Sequence, residues 1–145
     1  MKIQFYGIIP VLFFYTDRFV KLGAATYFLG PICVILVKPK YKNDKGLHNH
    51  EMVHVKQYWK SFWMHTFKYN NSEKYRLESE VEAYAIQYKT YPDEKHFNLF
   101  VEYMLEKYSL GFDRHTIENA FIREIKNQGI RGYLPRYQGP SSLQR

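Results

Sequence analysis

"LHNHEMVHVKQYW", residues Leu47 to Trp59, decides how this chain is read. Three of the 6 histidines fall here within seven positions, around a single glutamate. On a helix, residues four apart are one turn and about 40° of rotation apart, so His50 and His54 can turn their imidazoles toward one ion. Glu51 lies beside them in azimuth, close enough to take a proton from a water activated there. Placed at about 100° per residue, His50, Glu51 and His54 share a face with Leu47 and Tyr58, while Met52, Val55, Trp59, Phe62 and Trp63 form a broad apolar face next to it. Asn49, Lys56, Gln57 and Lys60 make a third, polar strip. This pattern predicts a helix over about 46–67, half packed, with the histidines at the edge of a core. His48 points some 120° or more away from both partners. His65 lies eleven residues beyond His54, roughly 16 Å along the axis, so neither is expected to join the pair. The run "YWKSFW" (58–63) is read as core at helical spacing and not as a stacking platform for bases.

A zinc site of this kind needs a third protein ligand and an open fourth position. The one cysteine, Cys33, rules out a thiolate cluster and an internal disulfide, so a carboxylate has to complete the set. The segment "YRLESEVEAYAIQY" (75–88) offers Glu78, Glu80 and Glu82. Helical projection groups Glu80 with the apolar face of Leu77, Val81, Tyr84, Gln87 and Tyr88. Glu78 and Glu82 fall on the opposite side with Lys74 and Lys89 and read as solvated. A carboxylate set into a buried face is costly unless a cation or hydrogen-bond donors meet it, which makes Glu80 the expected third ligand.

"HEMVH" followed 26 residues after His54 by "EVEAYA" resembles the gluzincin metallopeptidases, in which HExxH on one helix is completed by a glutamate on the next. In the HtpX-like and ImmA/IrrE-like members the third ligand stands three residues before an alanine, here Glu80 before Ala83. The resemblance spans about residues 34–90. It implies a zincin-like fold, a Zn2+ ion held by His50, His54 and Glu80, Glu51 as general base, and a peptide or protein substrate. It also implies that "ICVILVKP" (Ile32 to Pro39) is the strand along the cleft, on whose edge an extended peptide lies. Those families carry Asp or Asn at the position of Tyr84, where it orients a zinc histidine; in this chain the Tyr84 hydroxyl is assigned that catalytic support. Tyr84, Tyr88, His115, Arg123 and Tyr133 are all candidates to stabilise an oxyanion. His65, His96 and His115 otherwise read as satisfied core or surface groups.

Around this centre, 145 residues give room for one domain. A hydrophobic fraction of 46% and 19% aromatics exclude a disordered chain. The net charge of +7 is scattered, through Lys38, Lys40, Lys42 and Lys45 and on to Arg131, Arg136 and Arg145, and no specific nucleic-acid motif accompanies it. Residues 1–37 hold two apolar runs, 3–16 and 22–37, each shorter than the ~20 residues of a spanning helix and each containing a proline, Pro10 or Pro31. They read as strands, "ATYF" and "ICVILV" most clearly, with membrane association of residues 1–37 as the alternative; a cleaved signal peptide is not expected. Further helices are expected from an Asn71 or Ser72 cap to about Tyr91, from Asp93 to about Tyr108, and from a Thr116 cap to about Gln128, before a loose tail over 131–145. The reading is therefore an α+β, zincin-like, mostly helical single domain (1–130) with a small N-terminal sheet or hairpin. Its expected activity is that of a zinc metallopeptidase, with a cytoplasmic location favoured. The rivals are a catalytically silent domain that keeps zinc for stability and a membrane-associated protein anchored by residues 1–37.

Overall fold

A computed structural model describes residues 1–20, 23–61, 64–108 and 110–135. The described residues form an α+β fold with a four-stranded sheet followed by five α-helices. The strands are β1 (Lys2–Tyr6), β2 (Ile9–Tyr15), β3 (Ala24–Leu29) and β4 (Ile32–Val37), in the order β1-β2-β4-β3. β1 pairs antiparallel with β2, β3 antiparallel with β4, and β2 parallel with β4. Two hairpins are thus laid side by side. Each is closed by two residues of which the first is a glycine at positive φ, Gly7 at 61° and Gly30 at 60°, a backbone state that a side chain would strain. Pro10 pairs with Phe5 of β1 just outside the register shared with β4, so its missing N–H removes no bond from the parallel ladder.

The four strands thus fall within residues 1–37, the stretch that the two apolar runs occupy, and no described helix is long and apolar enough to cross a membrane. Their near-continuous hydrophobicity has a structural consequence. Val11, Phe13, Cys33, Ile35 and Val37 point to one face and are buried with Val55 of the helix that follows. The alternate residues, among them Ile3, Phe14, Tyr27 and Ile32, stand exposed on the other face.

After a short 3-10 turn at Pro39–Tyr41 come α1 (Lys45–Ser61), α2 (Met64–Asn71), α3 (Glu73–Tyr88), α4 (Glu94–Lys107) and α5 (Arg114–Asn127). Asp44 starts α1 by accepting the Leu47 N–H at 2.9 Å, Ser72 starts α3 through Tyr75, and Asp93 starts α4 through His96. The pattern over 46–67 predicted one helix; the described residues give two, α1 ending at Ser61 and α2 beginning at Met64. Phe62 and Trp63, assigned to the apolar face, lie outside the described residues, as does most of the expected tail, Arg136 and Arg145 included.

Two cores result. One joins the sheet to α1 through Val55, with Met52, Trp59 and Leu47 packed against it. The other holds α3, α4 and α5 together around Tyr88, Phe97, Phe100, Met104, Phe121 and Ile125. α1 and α3 meet along the seam between these cores, and that seam carries the histidines.

The cap of α5 differs from the sequence expectation. Asp113, and not Thr116, is the N-cap: its carboxylate accepts the Thr116 N–H at 2.7 Å. A carboxylate is the better choice there because it meets the positive end of the helix with a full charge. Asp113→Ala should lower the urea midpoint of unfolding measurably, and Thr116→Ala by clearly less. Urea denaturation of the two variants distinguishes the assignments.

Candidate metal centre

The α1–α3 seam brings together the three residues that the sequence singled out. His50 Nε2 lies 3.2 Å from His54 Nε2, 3.7 Å from Glu80 Oε2, and His54 Nε2 is 3.6 Å from Glu80 Oε1. Four ligands set tetrahedrally at about 2.0–2.1 Å from a zinc ion stand about 3.3 Å from one another. The observed spacings are close to that. His50 and Glu80 are buried, and the His54 side chain is 11% exposed.

Each ligand is oriented by a neighbour, and most of these were missed by sequence reasoning. His54 Nδ1 is 2.9 Å from Gln57 Oε1, an acceptor, so the proton sits on Nδ1 and the Nε2 lone pair faces Glu80. Gln57 is itself fixed, because its amide donates to Ser79 O at 3.0 Å and to Glu82 Oε2 at 2.9 Å. This revises two sequence assignments: Gln57 is buried and not on a solvent strip, and Glu82 anchors it while pairing with Lys56 at 3.7 Å. Tyr69 of α2 donates its hydroxyl to Glu80 Oε1. Glu80 Oε2 is buried with no donor within hydrogen-bond distance, facing His50 Nε2 at 3.7 Å, while the Tyr108 hydroxyl helps Tyr69 to hold the carboxylate.

Tyr84 is buried, but its hydroxyl is 3.0 Å from that of Tyr108, while its ring packs edge-on against His50 with centroids 4.4 Å apart. It braces the imidazole by packing and does not hydrogen-bond to it. Gln87, one turn further along α3, sits beside His50 and raises its proton affinity. His50 Nδ1 and Gln87 Oε1 are both buried and otherwise without a partner, a donor and acceptor that can complete one bond. The amide that serves His50 is thus one turn beyond the position at which the resemblance placed it.

Glu51 is buried beside the ligands and accepts the Thr26 hydroxyl of β3 at 2.6 Å. Burial raises its pKa, and His54 and the Thr26 bond only partly offset this. Burial likewise raises Glu80, against the pull of His54 and Tyr69. Burial lowers His50 strongly, with repulsion from His54 adding to it, so His50 is a neutral imidazole. Burial also works against a charge on His54, but Glu80 and then Glu51 outweigh it and the net direction is up.

The cleft wall is not the strand expected. β4 has both its edges paired, to β2 and to β3, so no peptide can add to it. The free edge next to α1 is β3, and Ala24, Ala25, Thr26, Tyr27 and Phe28 line a cavity of about 680 Å³ that also exposes His50, Glu51, His54 and Glu80. A second cavity of about 570 Å³, lined by Lys38, Tyr41, Tyr91 and Tyr103, shares Ala24, His50, Glu51 and Tyr108 with the first. Together they form one cleft with the candidate ligands at its middle.

His65 is also drawn into this cleft. A straight continuation of α1 would carry it far along the axis; instead α2 places it in the wall of the larger cavity, tied by its Nδ1 to Tyr75 at 2.9 Å, with Ser61 on the same hydroxyl at 3.1 Å. His48 packs on Phe13 and Tyr15, away from the centre. Among the oxyanion candidates, Tyr88 donates to Tyr133 O inside the helical core, and His115 and Arg123 are exposed on α5. None of these four lines the cleft; of the candidates only Tyr84 does, in the second cavity beside Tyr108, and Tyr69 lines the first. Tyr69, Gln57 and Gln87 left no motif in the sequence; the one signal available was that Gln87 fell on the apolar face of α3.

No protein-family model, curated protein or solved structure matches the chain.

His65 is pushed down to about 4, by burial first and then by His54. A histidine kept neutral in the fold but free to protonate when unfolded contributes stability that is full above its unfolded pKa of about 6.5. That contribution is lost as the pH falls through about 4. In chelator, wild type should therefore lose up to about 1.4 kcal/mol per pH unit more than His65→Gln across this window. Urea unfolding at several pH values measures it, and parallel curves for the two proteins would remove His65 as the cause.

Proposed function

We propose that this chain is a zinc-dependent metallopeptidase with a zincin-like arrangement, in which His50, His54 and Glu80 hold the ion and Glu51 moves the proton. The observation that carries the reading is the triangle of His50, His54 and Glu80 side chains at 3.2, 3.7 and 3.6 Å, with a buried Glu80 oxygen lacking a partner. Two neutral imidazoles and one carboxylate suit zinc, and the neighbouring Gln57 and Gln87 present acceptors to the far ring nitrogens.

Zinc bound there supplies Lewis acidity, lowering the pKa of water to about 7 and polarising a carbonyl. The chain's own residues do the rest. Glu51 has its pKa raised by burial, which places it nearer to that of the water it must deprotonate and later lets it release the proton to the leaving amine. Thr26 holds the Glu51 carboxylate by one oxygen, leaving the other for the proton. The hydroxyls of Tyr69 and Tyr108 border the same cavity but both serve Glu80, so a carbonyl oxygen gains a donor there only where one of them turns from Glu80 once a cation neutralises the carboxylate. The free edge of β3 offers backbone N–H and C=O groups to an extended substrate, with Phe28 and His65 lining the space beside it.

Elemental analysis after dialysis should find one zinc per chain in wild type and in Glu51→Gln, and none in Glu80→Ala. Against a mixture of quenched fluorogenic peptides, Glu51→Gln should lose a factor of ~10²–10⁴ in rate. Zinc retained by a wild type that cleaves nothing would favour the silent structural domain. A folded wild type that takes up no zinc would sink the metal centre altogether.

The outer partner of His54 makes a separate prediction. Gln57→Leu should weaken zinc affinity by ~10–100-fold, read by competition with a chromogenic chelator, because the imidazole loses the acceptor that fixes its tautomer. Glu82→Ala removes only one of the two bonds that hold Gln57 and should weaken zinc less.

A further inference from the structure

We infer that the outer face of the N-terminal sheet, with its two hairpin tips, is a docking surface for an anionic lipid bilayer. This goes beyond the proposed peptidase reading and does not depend on it. The strand register sets Ile3, Leu12, Val34 and Tyr27 in one row across all four strands, on the side away from α1. Phe14 and Leu36 stand in the next row. Neither 3–16 nor 22–37 contains an Asp, Glu, Lys or Arg, so no charge interrupts this face. At the tips, Ile8 is 95% exposed and Leu29 64%, with Phe5 on the face at 66%. A soluble sheet that turns one face to water alternates apolar with polar residues, and this one does not.

The charge distribution names the occupant. Lys2, Arg18, Lys40, Lys42 and Lys45 are exposed at or beyond the opposite end of the strands from the Gly7 and Gly30 turns. Against these five cations that end exposes one carboxylate, Asp17, and one aromatic, Phe19 at 81%, so the sheet has an apolar tip and a net cationic base, about 20 Å apart over the seven residues of β2. Laid on a bilayer, the face and tips enter the boundary between headgroups and acyl chains while the base stays among phosphates. The free edges of β1 and β3 remain at headgroup level, where water can satisfy their backbone groups; full immersion would strand them. A second copy is a poorer fit. Two chains of +7 repel, and a sheet stacked on the face would leave Ile8 beyond it in water. The chain's own last ten residues, RYQGPSSLQR, have one large aliphatic side chain and do not match so wide an apolar surface.

The test is flotation of the full-length protein with vesicles of phosphatidylcholine, alone or with roughly 30% phosphatidylglycerol. Wild type should float with the anionic vesicles and at least ~10-fold less with the neutral ones, and raised salt should release it. Ile8→Ser with Leu29→Ser alters two exposed side chains that no core depends on, and should lower the bound fraction ~10-fold or more. Lys2→Glu with Lys42→Glu should abolish the preference for anionic lipid. No binding to either vesicle, or binding that the tip variant leaves unchanged, overturns the assignment. Sedimentation equilibrium without lipid is the companion measurement: a dimer that the tip variant dissociates would give the face to a second copy instead.

Discussion

A single carboxylate governs the centre of this protein. Glu80 is 1% exposed, and an ionised carboxylate in such a place is tolerated only if positive charge or hydrogen-bond donors surround it. One oxygen receives the Tyr69 hydroxyl, the Tyr108 hydroxyl adds a weaker pull, and Oε2 has no close donor of its own. The helices α1 and α3 are packed so that two imidazoles face that oxygen pair, His50 pushed toward its neutral form by burial and His54 drawn upward by the carboxylates despite it. The carboxylates draw His54 toward its charged form, which is how the chain alone can balance Glu80. A divalent cation would replace that proton and use both nitrogen lone pairs, which is why the geometry adds support for a metal to that of the motif.

The surrounding structure makes that arrangement rigid. Gln57 spans from α1 to two acceptors on α3, and Tyr84 presses its ring on His50 while its hydroxyl is held by Tyr108. These contacts cross the seam between the sheet core and the helical core, so either core shifting would disturb the ligands. Glu51 is kept apart from this network. It belongs to α1 by sequence but is held by Thr26 of the sheet, and so can gain and lose a proton without moving a ligand. Two buried carboxylates in one cleft therefore sit in different environments because they have different partners, the separation that the proposed roles require.

How much of this the sequence disclosed follows from the range of the interactions involved. HExxH, the helical face that put Glu80 among apolar residues and the caps at Ser72 and Asp93 depend on neighbours within a few residues, and they were legible. The bounds of β3 and β4 were legible from β-branched runs ending at Gly30-Pro31 and Pro39. Which of those strands is the free edge was not, since the parallel pairing of β2 with β4 joins residues about 22 apart and leaves no local trace. The same holds for Tyr69, Gln57 and His65, whose roles exist only once α2 lies against α3. Tyr84 was placed on the correct face, but a projection fixes azimuth and not the reach of a hydroxyl, and Tyr108 captured it.

β3 joins the two halves of this account. Its inner residues, Ala24, Thr26 and Phe28, face α1 and the cleft, and its outer residue Tyr27 lies on the apolar face. Because side chains alternate along a strand, sliding β3 by one residue would turn Thr26 away from Glu51 and put Tyr27 in its place. The two-residue turn at Gly30-Pro31 forbids that slip: the positive φ of Gly30 and the fixed φ of the proline set the pairing of Leu29 with Ile32, and every pair behind it follows. The turn that aims the Thr26 hydroxyl at Glu51 therefore also decides which row of hydrophobic side chains is turned outward. Cleft and outer face are two readings of a single register, and a residue inserted into β3 would disrupt both together.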